Sequence, residues 1–387
     1  MRAIDPRLLG WLRLARCRFR RTCDPLQAAA LGGGAEAFAA REPQRWREAG
    51  LPDAAVELLA DAALDAQLHE ELERVARCGW TMLHLDDPRY PPLLREHIPD
   101  PPPVLSVRGD LSALAAHAVA VVGTRVPTDY GLRMAGLLAG PVAARGLVLV
   151  SGLAAGIDSA AHRAALAAGG RTLAVMGTGL QSVYPKANRR LAAEIVGHGA
   201  LVTEFEPWAR PIPPNFPQRN RIIAGLSRVV VVVEARKRSG SLITARLANE
   251  AGREVLAVPG RWGDPHSTGT LELMRDGVGP ALEPRDVFAA LPAEVAADLG
   301  IALDEEGGPV PEPPSPALAR LGPLAAEILG QLPRNDSVHV DELLRGCRGG
   351  TDEVLGALFE LELAGFAESV AGGRFRRAER VPREAPV

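Results

Sequence analysis

Lysine is almost absent. Of the 44 basic side chains in this chain of 387 residues, only Lys186 and Lys237 are lysines and the rest are arginines. A phosphate-binding P-loop needs Gly-Lys-Ser/Thr, because its lysine reaches the nucleotide from a glycine-rich turn. Lys186 follows Pro185 and Lys237 follows Arg236, which excludes that class. Cysteine is scarce as well. Cys17, Cys23, Cys78 and Cys347 form no C-x-x-C pair, so neither a disulfide framework nor a zinc site is indicated, in keeping with a reducing cytoplasm. No run approaches the length of a membrane span. The first 23 residues hold seven arginines but no unbroken apolar stretch, which argues against a secretory leader. H-E-x-x-H and G-x-S-x-G are both missing, and the eight histidines show no metal-ligand spacing. No metal or cofactor is therefore expected.

What is present points to a globular chain of two or three domains. Residues 1–75 read as a separate domain of short helices, with Val56, Leu59, Leu64, Leu68 and Leu72 at broadly helical spacing after Asp53. From Trp80 the pattern changes to short apolar runs between turns. Val119–Val122, Leu147–Val150, Thr172–Met176, Val229–Val233 and Val255–Val258 alternate with helix-length stretches, which predicts a doubly wound, Rossmann-like α/β sheet over 76–291. The Pro-rich segment within 292–316 reads as a semi-rigid linker. Beyond it, 317–380 shows three helices and a two-stranded ribbon, the pattern of a winged helix.

The net charge of −3 hides a partition. Residues 119–288 carry 20 basic and 13 acidic side chains, a net of +7 that suits a polyanion. The winged-helix segment has no Lys or Arg between Gly349 and Gly373, where a duplex-reading helix would offer them. That module is expected to contact protein.

Four motifs fall at expected strand ends. Val121-Val-Gly-Thr-Arg125 places Gly123 where backbone can approach a ligand and Arg125 where a guanidinium can fork onto phosphate; a solvated arginine on a tight turn is the plainer alternative. Ser151-Gly-Leu-Ala-Ala-Gly-Ile-Asp158 offers free N–H groups at a helix N-terminus, and Asp158 and His162 share a helix face, read as a hydrogen-bonded pair. Met176-Gly-Thr-Gly179 fails as a dinucleotide fingerprint, because Ser182 replaces the third glycine; Lys186 lies in the next loop. The fourth motif is the most informative. Phe216, Arg219, Asn220 and Arg221 precede a strand, and Lys237, Ser239 and Gly240 follow it at a helix start. Cations, hydroxyls and N–H groups suit a phosphodiester, and Phe216 beside Arg219 suits a nucleobase.

These stretches (VGTR, SGLAAGIDSAAHRAAL, VYPKANRRL, NFPQRNRIIAGLS, VVVEARKRSGSLITARLANEAGREVLAVPG) resemble the DNA-processing protein A (DprA/Smf) family from about Trp80 to Phe288. The resemblance implies a cytoplasmic, non-catalytic protein with an extended Rossmann core. Such a protein binds single-stranded DNA, loads the RecA recombinase during natural transformation and forms a homodimer; single-strand binding protein joins the expected partners. Carried over by position, its phosphate pocket comprises Arg125, Lys186, Asn220, Arg221, Lys237, Ser239 and Gly240, to which the residue reading adds Gly123, Phe216 and Arg219. The chain departs from the family pattern at Ala155, where arginine is usual, and at Leu271 and Met274, where Asn and Ile are usual. Two competing readings are a nucleotide-processing Rossmann enzyme of the lysine-decarboxylase-like (phosphoribohydrolase) type and a transcription factor. The first lacks its P-G-G-x-G-T-x-x-E motif, and the second requires a cationic reading helix.

Overall fold

The computed structural model describes residues 5–301, 321–333 and 337–378. The chain divides into two compact units, Met1–Pro309 and Val310–Val387. The first is built on a nine-stranded sheet: β1 (Thr81–His84), β2 (Val104–Gly109), β3 (Ala118–Val122), β4 (Val148–Ser151), β5 (Thr172–Val175), β6 (Gly199–Thr203), β7 (Val229–Val232), β8 (Glu254–Ala257) and β9 (Gly279–Pro280). Their order is β1-β2-β6-β5-β4-β3-β7-β8-β9. From β6 to β9 all neighbours are parallel, while β1 and β2 add an antiparallel edge. The chain winds outward from β3 through β4, β5 and β6, then returns to place β7 on the other side of β3. That reversal is the topological switch point, where ligands bind in open α/β sheets.

The strands form because their residues are apolar on both faces. β3 and β7, five and four residues of Ala and Val, are wholly buried and paired from Val119↔Val229 to Val122↔Val232. Each fully buried valine contributes about 1.5–3 kcal/mol of transfer free energy. Helices α7 (Asp129–Ala144), α8 (Ile157–Ala167), α13 (Pro284–Ala289) and α14 (Ala293–Asp298) cover one face through Leu138, Val142, Ile157, Phe288 and Val295. Helices α6 (Pro92–His97), α10 (Asn215–Leu226) and α11 (Gly240–Glu250) cover the other through Leu94, Ile222, Ile223 and Ala248. Helix α9 (Arg189–His198) packs Leu191 and Ile195 near β5 and β6, and α12 (Thr268–Arg275) follows β8.

Two expected boundaries move. Helices α1 (Pro6–Arg20) to α5 (Ala62–Arg77) do not form the separate module that residues 1–75 suggest. They share their core with Met82 of β1 and Val104 of β2, and Arg18 pairs with Asp100. The linker expected from residue 292 begins later, since α14 buries Val295 and Ala296 against the sheet. Its Pro-rich part, 309–316, lies outside the described residues.

The second unit matches the winged-helix expectation, with helices Pro323–Gln331, Val340–Gly346 and Thr351–Leu363. Strands β10 (Val338–His339), β11 (Ala367–Val370) and β12 (Arg374–Arg377) form a small sheet with β12 central, one strand more than the ribbon read from sequence. Its third helix exposes Leu355, Phe359 and Leu363 at i, i+4 and i+8, on the acidic segment that lacks cations.

Candidate nucleic-acid interface

The loop after β3 is held from two sides. The Thr124 N–H donates to the Glu234 carbonyl (2.8 Å), and the Ile157 N–H donates to the Thr124 carbonyl (3.2 Å). Gly156 permits this approach, with φ +83° and a would-be Cβ only 2.4 Å from the Thr124 oxygen. The buried Glu234 carboxylate accepts from the Thr128 N–H (3.0 Å) and the Thr128 hydroxyl. Thr128 in turn caps α7, accepting from the Gly131 N–H at 3.1 Å. The clamp leaves Arg125 exposed, its guanidinium carbon 5.3 Å from the centroid of the Phe216 ring.

The loop after β4 differs from expectation. Its Gly152 and Ala154 N–H groups are engaged by the Asp158 carboxylate (3.1 and 3.3 Å), so they are not free for an outside anion. Burial raises the Asp158 carboxyl above the ordinary range, against the opposing pull of Arg219. Asp158 and His162 do not form the pair that their spacing suggests. His162 Nδ1 lies 2.7 Å from the Thr172 hydroxyl, which donates to the Leu149 carbonyl (2.9 Å); the ring N–H therefore points at Thr172. Burial, then the neighbouring Arg219 and Arg163, pull the His162 pKa down to about 3. Asn188 fastens this loop, donating to the Leu153 carbonyl and the Ser159 hydroxyl (2.9 Å each), with Leu153 at φ +56°.

Between these loops and α11 lies a cavity of about 580 Å³. Gly123, Arg125, Phe216, Asn220, Arg236 and Arg238 line it, together with Ser239, Gly240 and Ser241 at the start of α11. Ser239 is the N-cap of that helix, its hydroxyl 2.8 Å from the Ser241 hydroxyl. Asn220 ties α10 to α11 by donating to the Gly240 carbonyl (3.1 Å). A positive helix terminus and the exposed guanidinium groups of Arg125, Arg236 and Arg238 around one cavity are chemically suited to a phosphate. Two smaller cavities, about 280 and 80 Å³, share Arg125, Phe216 and Tyr184; Ala155 lines the smaller. The rings of Tyr184 and Phe216 lie 5.5 Å apart. Gly177 follows β5 directly beneath Phe216, where a Cβ would meet the ring at 2.8 Å. The Gly-Thr-Gly turn thus makes room for an aromatic side chain.

The expected residues separate into groups. Gly123, Arg125, Phe216, Asn220, Ser239 and Gly240 come together at the cavity. Arg219 also lines it, but it is buried and donates to the Gly152 and Val175 carbonyls, which corrects its reading as an open partner of Phe216. Burial lowers its pKa to about 10. Arg221 points elsewhere. It is buried in a two-pronged pair with Glu204 (2.6 and 2.7 Å) and donates to the Asp100 carbonyl at 3.0 Å, so its charge is consumed within the protein. Lys186 is exposed in the loop before α9 and does not line the cavity. Lys237 is exposed, 3.4 Å from Glu272. Sequence reasoning misses Glu234 and Thr128 as clamp residues; a lone Glu ending an all-valine strand is the available signal.

A family model described as DNA recombination-mediator protein A matches residues 81–292, and one described as DprA winged helix domain matches 312–373. The chain belongs to the DNA recombination-mediator protein A (DprA/Smf) family. Among DprA/Smf relatives, Protein Smf of Escherichia coli (strain K12) is 40% identical over 311 residues, covering 78% of this chain and 79% of that protein. DNA processing protein DprA of Streptococcus pneumoniae is 43% identical over 225 residues, 58% of this chain and 77% of that one. The X-ray structure of DNA processing protein A from S. pneumoniae aligns with a TM-score of 0.58 at 36% identity, covering 74% of this chain and 93% of its own. Membership in the DprA/Smf family agrees with the parallel sheet, the winged helix and the cationic switch-point cavity described above.

Proposed function

We propose that this chain is a non-catalytic single-stranded DNA-binding protein of recombination, which loads RecA on incoming strands. It acts in the cytoplasm as a homodimer. The observation that carries the reading is the switch-point cavity, where Arg125, Arg236 and Arg238 face the start of α11 beside an aromatic side chain. Guanidinium groups and a helix N-terminus bind the phosphodiester whatever its sequence, and the half-buried Phe216 adds an aromatic side chain to the same cavity, where bases of any kind can be received. Family membership supports the recombination role.

The nucleotide-processing alternative is not favoured. The carboxylates at this edge, Glu234 and Asp158, are tied to backbone N–H groups. Among the described residues no cluster of His, Cys, Asp and Glu could hold a metal ion, and no helix is long and apolar enough to cross a membrane. Fluorescence anisotropy with labelled oligonucleotides across a salt series tests the DNA reading. Binding that weakens steeply with salt and disappears in Arg125→Glu is expected, and salt-independent or unaltered binding overturns it. A strand-exchange assay on protein-coated single strands tests RecA loading.

A further inference from the structure

Trp262 is the most exposed large apolar side chain among the described residues, at 95%. It lies in the loop that leaves the C-terminal end of β8, and that loop is not loose. The Tyr130 hydroxyl donates to the Pro259 carbonyl (2.7 Å) before Trp262; after it, the Asp264 N–H donates to Arg261 O (3.2 Å) and the His266 N–H to Asp264 Oδ1 (2.8 Å). The loop is laced to the cavity wall. The Ala235 N–H donates to the His266 carbonyl (2.8 Å), and His266 Nε2 lies 3.1 Å from Nη2 of Arg236, a cavity residue. A large indole is therefore held out into solvent from a pinned loop.

Its place in the sheet gives it a use. Phe216 covers Gly177 after β5, and β5, β4, β3, β7 and β8 are successive neighbours. At about 4.8 Å per strand, the loops under Phe216 and Trp262 are about 19 Å apart. Arg125 lies in the loop after β3, and Arg236, Arg238 and Ser239 lie in the loop after β7, the two strands between β4 and β8 in the sheet. We propose that Trp262 is a second base-stacking platform, which takes a nucleobase of single-stranded DNA at the end of the track opposite Phe216. This rests on the DNA-binding reading above. An exposed indole, large and with two rotatable bonds, suits stacking on any base.

The test compares full-length wild type, Trp262→Ala, Trp262→Phe and Arg125→Glu, titrated into a labelled oligothymidylate of about 20 residues, long enough for the larger site sizes of such proteins. Trp262→Ala is expected to weaken binding roughly 5- to 100-fold, the range of one lost base stack, with the slope of log affinity against log salt unchanged. Trp262→Phe retains most of the affinity, and the tryptophan quenching seen when wild type binds is largely absent from it. Arg125→Glu loses affinity together with salt slope. Wild-type affinity in Trp262→Ala overturns the proposal while leaving the DNA reading intact. So does a loss of affinity accompanied by a change in sedimentation, which makes Trp262 a contact between copies. If wild type itself fails to bind, both fall.

Discussion

Replacing Arg221 with methionine separates the two roles this residue can have. Its guanidinium is buried and makes two bonds to Glu204, itself buried, and one to the Asp100 carbonyl. In Arg221→Met, Glu204 keeps only the distant Arg18, 3.9 Å away. Breaking one half of a buried pair costs about 3–5 kcal/mol, because a desolvated charge is left without its partner. For a unit of this size that lowers Tm by roughly 5–8 °C. Adding Glu204→Leu removes the stranded carboxylate, so the double variant should recover much of the loss. Differential scanning calorimetry of the four proteins closes the cycle, and anisotropy below the lowest Tm measures DNA binding in each. Near-wild-type affinity is expected throughout. If Arg221→Met keeps its Tm within about 1 °C and abolishes oligonucleotide binding, Arg221 reads DNA and the burial argument is wrong.

Three further outcomes follow from the same geometry. Arg125→Ala should reduce the slope of log affinity against log salt by about 0.7, the share of one phosphate on a single strand, in an anisotropy series from low to moderate salt. Glu234→Ala strands the Thr128 N–H and hydroxyl, costing about 1–3 kcal/mol of stability by urea titration, and weakens DNA binding by loosening the loop that presents Arg125. The His162 pKa, held near 3 when folded, lies below its ordinary value of 6.5. Its contribution is therefore complete above pH 6.5 and declines as pH falls through 6.5 toward 3. The Tm of wild type should drop relative to His162→Gln over that window, and parallel Tm profiles would count against a neutral buried imidazole.

Much of the architecture is legible in the sequence because parallel strands announce themselves. Val229–Val232 and Ala118–Val122 are apolar on both faces, and few other environments accept such runs. The same holds for Ser239-Gly-Ser, whose hydroxyl, glycine and preceding cations mark a helix start that faces an anion. Sequence reasoning errs where polar groups find partners far away in the chain. Arg219 and Arg221 are two residues apart and look alike in the string. One reaches the Gly152 carbonyl and the other reaches Glu204, and neither partner is written locally. Asp158 misleads for the opposite reason. Its bonds run backward to Gly152 and Ala154, within its own loop, whereas helical spacing points to His162. The N-terminal boundary fails because helical periodicity says which face is apolar and not what covers it.

The Asp158 carboxylate is, in effect, a resident tenant. The N–H groups of Gly152 and Ala154 would welcome a phosphate in another Rossmann-like protein, and here the chain supplies its own acceptor. On the DNA-binding reading proposed above, the phosphates of a strand fall instead to Arg125 and the first turn of α11, which line the cavity. An internal anion at one loop thus closes that loop to an outside phosphate and leaves the neighbouring arginines and helix start as the groups at this sheet edge still open to one.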